Sequence, residues 1–136
     1  MGKQFAYRAA DELPVVRARG LAATQVFVPG GFFLGWVVEN HLEGAAIDSE
    51  DAARFRAREL SGPQLFERAG GVIDRSTLGA HAADFAAHYL DQYWADMAEE
   101  FPVPSIFDVR DTWHNYEWMR IRLVSRYSIW RSVPVQ

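Results

Sequence analysis

The stretch from Leu78 to Phe101 constrains this chain more than any other. Leu78, Ala82, Phe85, Tyr89, Tyr93, Met97 and Phe101 follow one another at steps of four or three residues, and Leu90 and Trp94 widen the stripe. That spacing places all of them on one face of a helix and is incompatible with the two-residue period of a strand. Ser76 or Thr77 supplies a cap, so the spacing predicts a helix from 77 to about 100. Pro102 and Pro104 then end it and force an extended link. A helix this long with one broad apolar face has to be covered by other helices.

The neighbouring segments supply them. Pro29 suits a first helical position, and Phe32, Phe33, Trp36, Val37 and Leu42 continue at helical spacing, so 29–42 reads as a largely buried helix. Gly31 and Gly35 lie four apart on it and weaken it unless another element packs closely against the backbone there. Asp48 or Ser49 caps a helix carrying Phe55 and Leu60, with its acids first and Arg54, Arg56 and Arg58 later, the order that the helix dipole favours. Ser61-Gly62-Pro63 breaks it and caps a short helix at 63–69, ended by Gly70-Gly71. Asp108 caps a last helix from 109 to about 131, with Val109, Trp113, Tyr116, Met119, Leu123, Tyr127 and Trp130 facing inward. Residues 1–23 show no period and read as an extended arm, residues 132–136 as a short tail. Gln25–Val28 reads either as a short strand or as the extended lead-in to a helix. The expected fold is mainly α: a single-domain, irregular bundle of four or five helices, with room for one short strand near the N-terminus.

Composition removes several function classes. A length of 136 residues suits one domain. The absence of cysteine excludes disulfides, thiolate metal sites and thiol nucleophiles. No apolar run approaches the length of a membrane span, and Met1–Phe5 lacks the apolar core of a secretory signal, so a cytoplasmic protein with no membrane partner is expected. A net charge of −4 argues against nucleic acid as a partner. No Gly-x-Ser-x-Gly elbow is present, and neither Gly30-Gly31 nor Gly70-Gly71 belongs to a phosphate loop. No catalytic residue and no cofactor are assigned.

Charge distribution is more informative than its total. Between Ser76 and Val109 there is no Lys or Arg, while Asp84, Asp91, Asp96, Glu99, Glu100 and Asp108 all fall there. The tail from Arg110 holds five arginines against Asp111 and Glu117. Either the two blocks pack together and neutralise each other, or the acids form a face that steers a basic partner. On the second reading Asp84, Asp91, Asp96, Glu99 and Glu100 face the partner and Trp118 anchors it. Trp118, Ile121 and Ile129 lie off the inward stripe of the last helix. They are either covered from a second side or form an exposed patch for a partner or a second copy, making a homodimer the further expectation. Among the polar residues, His81, Asp84, His88 and Asp91 share one helix face, and His81, Asp84 and His88 form a weak alternative metal site. A pocket near Trp113, His114 and Asn115 is the small-molecule alternative, either one making room for an enzyme. His41, near a helix end, reads as a surface or capping residue.

Three segments resemble a known pattern. Phe32-Phe33-Leu34-Gly35-Trp36-Val37-Val38-Glu39-Asn40-His41-Leu42 is similar to an FLGW element, Arg58-Glu59-Leu60-Ser61-Gly62-Pro63-Gln64-Leu65-Phe66 to an RE-x-x-x-P-x-L-F turn, and Asp108–Tyr116 to a DTW-x-NY element. Together they resemble a family of small bacterial proteins of unknown function, over about Thr24 to Arg131. The resemblance implies a common fold and transfers no catalytic residue. Some small bacterial families of this kind are immunity proteins, which occlude a toxin. The expectation carried forward is a non-enzymatic immunity protein whose partner is a toxin domain with a basic surface.

Overall fold

The computed structural model describes residues 5–132. Six helices make up most of it: α1 (Leu13–Ala18), α2 (Val28–Glu39), α3 (Ser49–Arg56), α4 (Gly62–Arg68), α5 (Ala80–Glu100) and α6 (Trp113–Ser132). A two-stranded antiparallel sheet pairs β1 (Tyr7–Arg8) with β2 (Val72–Ile73), in the register Tyr7 to Ile73 and Arg8 to Val72. The mainly α fold follows the sequence reading. The sixth helix is α1, in the segment read as an extended arm.

α2 is the central post. Every residue from Val28 to Val38 is buried. A helix apolar on all sides is stable only when enclosed on all sides, and α3, α4, α5 and α6 all pack on this one. Phe33 meets Tyr93 of α5, Trp36 meets Phe85 of α5 and Tyr127 of α6, and Phe32 meets Tyr116 of α6. The Tyr93 hydroxyl donates to the Pro29 carbonyl at 2.7 Å. The closest approach is to α4. A Cβ on Gly31 would lie 2.5 Å from the Pro63 nitrogen, and one on Gly30 would lie 2.5 Å from the Phe66 ring. The glycines thus allow two helix backbones to touch, the compensation that their cost in a helix requires.

Several boundaries differ from the sequence reading. Residues 5–23 are not an extended arm: they form β1, a 3-10 turn at Ala9–Glu12, α1 and the start of a second 3-10 turn. Ala9 and Val16 are fully buried, and the Ala9 amide donates to Gly71, which holds the segment down. Gln25–Val28 is neither a strand nor extended, because 3-10 turns at Ala23–Phe27 run directly into α2. The short strand lies earlier, at Tyr7–Arg8. α5 starts at Ala80 rather than 77. Ser76 and Thr77 are engaged in a turn with Asp74, and the backbone of 76–79 pairs with 42–46. α6 starts at Trp113 rather than 109. Asp108 instead closes a 3-10 turn by accepting from the Ser105 amide at 3.0 Å, and the Phe107 and Val109 carbonyls accept from the Gln25 side chain. Of the tail expected at 132–136, Ser132 ends α6 and the remainder lies outside the described residues.

Asp48 and Ser61 cap as the sequence suggests. Ser61 and Gln64 form a reciprocal capping box at the start of α4.

Candidate functional site

The acidic and basic blocks meet along the seam between α5 and α6. Asp96, on the inner edge of α5, is fully buried. Arg126 of α6 grips it with both nitrogens of its fork, Nε to Oδ2 at 2.9 Å and Nη2 to Oδ1 at 3.0 Å. Arg122, one turn earlier, adds Nη1 at 3.0 Å from Oδ1. Gln92 donates at 3.1 Å and the Tyr89 hydroxyl donates to Oδ2. Burial alone would raise the Asp96 pKa, but the hydrogen bonds from Arg126, Tyr89 and Gln92 hold it below the usual carboxylate range. Asp96 is therefore an internal strut and not a contact on a partner face. Its two arginines, spaced four apart, were not singled out in the sequence. The signal was there in that spacing, which puts both on one edge of α6.

Glu100 is also committed. It accepts from Arg122 Nε at 2.9 Å and from the Trp118 indole N–H at 2.7 Å. Glu99, with 72% of its side chain exposed, meets Arg122 Nη2 at 2.9 Å. Asp108 is bridged to Arg19 at 2.5 Å. Asp84 and Asp91 lie on the outer face of α5 and are exposed, with Arg75 at 3.5 Å from Asp84. Of the acids assigned to a partner face, Asp84, Asp91 and Glu99 are thus on the surface. Glu100 borders it, and Asp96 does not reach it.

Neither alternative site assembles. Among the described residues no group of three His, Asp or Glu side chains is placed to hold a metal ion. His81 packs edge-on against Tyr127 and beside Trp130 instead of converging with Asp84 and His88. The cause is the neighbouring helix: α6 brings its aromatic residues over the N-terminal end of α5. Trp113 packs on Phe55, the Asn115 amide donates to the Arg110 carbonyl at 3.1 Å, and His114 is exposed. The three are thus turned to different surroundings: Trp113 to Phe55, Asn115 to the Arg110 carbonyl and His114 to solvent.

A second junction went unread in the sequence. Tyr116 of α6 donates to Glu39 of α2 at 2.6 Å, and Arg58, beyond α3, lies 3.4 Å from Glu39 and over the Trp113 ring at 4.6 Å. Burial, then the hydrogen bond to Glu39, pushes the Tyr116 hydroxyl well above its ordinary pKa. Nearby, the Ser61 hydroxyl donates to Asp111 at 2.6 Å. Arg58 and His41 both have left-handed backbones, φ +63° and +58°. Each follows a helix C-terminus whose last carbonyls accept the paired amides of a Schellman turn.

The outer face of α6 is the most unusual surface. Trp118, Ile121, Val124 and Ile129 are 50%, 63%, 45% and 56% exposed. Ser125, Ser128 and Ser132 lie among them, so the face is mostly apolar and hydroxyl, with Glu100 and Arg122 at its border. A hollow of about 330 Å³ opens between Trp118, Ile121, Ser125, Arg122 and Glu100. Of the two readings of Trp118, Ile121 and Ile129, the structure selects exposure.

A family model described as a domain of unknown function (DUF7832) matches residues 8–109, three quarters of the chain. The chain belongs to this family. The matched span runs from β1 through α5 and stops before α6, so within it lies Asp96 but neither arginine that grips it. The family description assigns no activity. No curated protein and no solved structure matches the chain. Among the described residues no helix is long and apolar enough to cross a membrane.

Proposed function

We propose that this chain is a non-enzymatic binding protein of the immunity type, which occludes a cytoplasmic toxin domain carrying a basic surface. The observation that carries the reading is the outer face of α5. Asp84, Asp91 and Glu99 are exposed along a line of about 22 Å on one rigid helix. The buried ion pairs of Asp96 fix that helix against α6, so the carboxylates are presented by a preformed surface. Occlusion needs no catalytic group. It needs a surface that covers an active-site cleft, and charge that speeds encounter. Trp118, tied to Glu100 at the edge of this face, supplies an aromatic group at its rim.

The test is co-expression with the product of the adjacent gene, followed by pull-down and native mass spectrometry. A stoichiometric complex is expected, weakened by salt and weakened further by the double reversal Asp84→Lys/Asp91→Lys. Both positions are exposed, so the fold is expected to tolerate the change. Affinity and salt dependence unchanged by the reversal would remove the acidic face from the reading. Failure to form any complex would remove the immunity role.

A further inference from the structure

We propose that the outer strip of α6 seats a second copy of this chain, packed antiparallel about a two-fold axis at Ser125. The inference rests on α6 and not on the carboxylates of α5, with Trp118 bordering both surfaces. From His114 to Ser132 the strip runs about 27 Å along the helix, and none of His114, Trp118, Ile121, Val124, Ser125, Ser128, Ile129 and Ser132 is an Asp, Glu, Lys or Arg. The charged groups that border its hollow, Glu100 and Arg122, are paired with each other, so neither is free for a basic partner or for nucleic acid. A two-fold contact asks only that the strip complement itself, each residue meeting its counterpart's partner in turn.

The sequence of the strip does so. With Ser125 on the axis, Ile121 faces the partner's Ile129, and Trp118 lies over the partner's Ser132. Large side chains meet small ones at the ends, and two apolar pairs flank a centre of two small hydroxyls. One border adds charge complementarity. Glu117 and Arg131 lie on the same side of the strip at opposite ends, so an antiparallel copy brings Glu117 within a turn of the partner's Arg131, twice by symmetry. Among the described residues Arg131 has a ring contact with Tyr127 and no ion pair, while Glu117 has only half-exposed bridges to Arg58 and Arg120. On the other border the same symmetry sets Arg126 beside its counterpart, but Arg122 and Arg126 are already paired with Asp96, Glu99 and Glu100.

A single helix face is smaller than the interface of a stable dimer, so the expected dissociation constant is on the order of 10 μM. Sedimentation of the full chain from about 1 μM to about 500 μM, spanning that constant, is expected to show monomer passing to dimer. Ile121→Glu is expected to stay monomeric across the range with an unchanged melting temperature, because Ile121 is 63% exposed and supports nothing in the core. The register has its own test. The chain has no cysteine, so Ser125→Cys introduces one thiol, which on the axis cross-links to its counterpart on mild oxidation. Ala53→Cys, exposed on α3, is expected not to. A wild type that remains monomeric at every concentration overturns the proposal. So does a dimer indifferent to Ile121→Glu, and so does a monomer whose capture of the adjacent gene product depends on Ile121, which would make the strip part of that contact instead.

Discussion

Arg126 holds Asp96 with two parallel hydrogen bonds, at 2.9 and 3.0 Å, across the seam between α5 and α6. The carboxylate is fully buried, whereas 37% of the arginine side chain is exposed. The pair is therefore asymmetric. Removing the arginine strands a buried charge that Arg122 only partly compensates, while removing the carboxylate leaves a guanidinium that can turn to water.

Arg126→Met is accordingly expected to destabilise the fold more than Asp96→Asn. Breaking a buried pair costs about 3–5 kcal/mol when the stranded charge has no other partner, and Arg122 keeps the first figure toward the low end. The neutral amide keeps part of the hydrogen bonding, and loss of a net charged hydrogen bond costs about 1.5–3 kcal/mol. Urea denaturation of the two variants checks the order.

Acid is expected to weaken the same seam. The folded state holds the Asp96 pKa below its unfolded value near 3.9. Its contribution is thus fully present above that value and is lost as pH falls through the lower folded value. Asp74, lowered by its hydrogen bond from Ser76, acts with the same sign. The stability gap between wild type and Asp96→Asn isolates Asp96, and it should be constant from neutral pH to about 5 and shrink below about 4. A gap of constant size down to acid would show that the carboxylate is not the titrating partner.

Gly31→Ala should be among the most damaging single methyl additions. The new Cβ would fall 2.5 Å from the Pro63 nitrogen, and a backbone cannot swing aside as a side chain can. The expected loss is at the upper end of the about 1–3 kcal/mol typical of overpacking, despite alanine's better helix propensity. Thermal melting measures it.

His41 and Arg58 share a left-handed backbone but differ in what their side chains do. His41→Gly should stabilise by about 1 kcal/mol, since glycine relieves the conformation. Arg58→Gly relieves the same strain yet gives up the stack on Trp113 and the bridge to Glu39, so its net effect should be smaller or reversed. Equal stabilisation by both would mean that the Arg58 contacts contribute nothing.

Ser61→Ala is expected to cost about 1–2 kcal/mol, because the hydroxyl both caps α4 and donates to Asp111. Chemical denaturation is again sufficient.

The sequence alone determined the helices with strong signals. The 78–101 stripe, the enclosed aromatic run at 29–38 and the caps at Asp48 and Ser61 are local: a period or a hydrogen bond within a few residues specifies each. The glycines at 31 and 35 announced a close neighbour without naming it. What only tertiary structure decided depends on residues far apart in the chain. Gly71 ties down Ala9 and makes an aperiodic stretch fold, and the pairing of 76–79 with 42–46 delays the start of α5. The same holds for the acidic block, where identical carboxylates have opposite fates. Asp96 lies on the edge of α5 that meets Arg122 and Arg126 and is buried, while Asp91, five residues earlier, is turned to solvent. Charge is visible in a sequence, but its solvation depends on what the fold places beside it, and that is fixed only when α6 packs against α5.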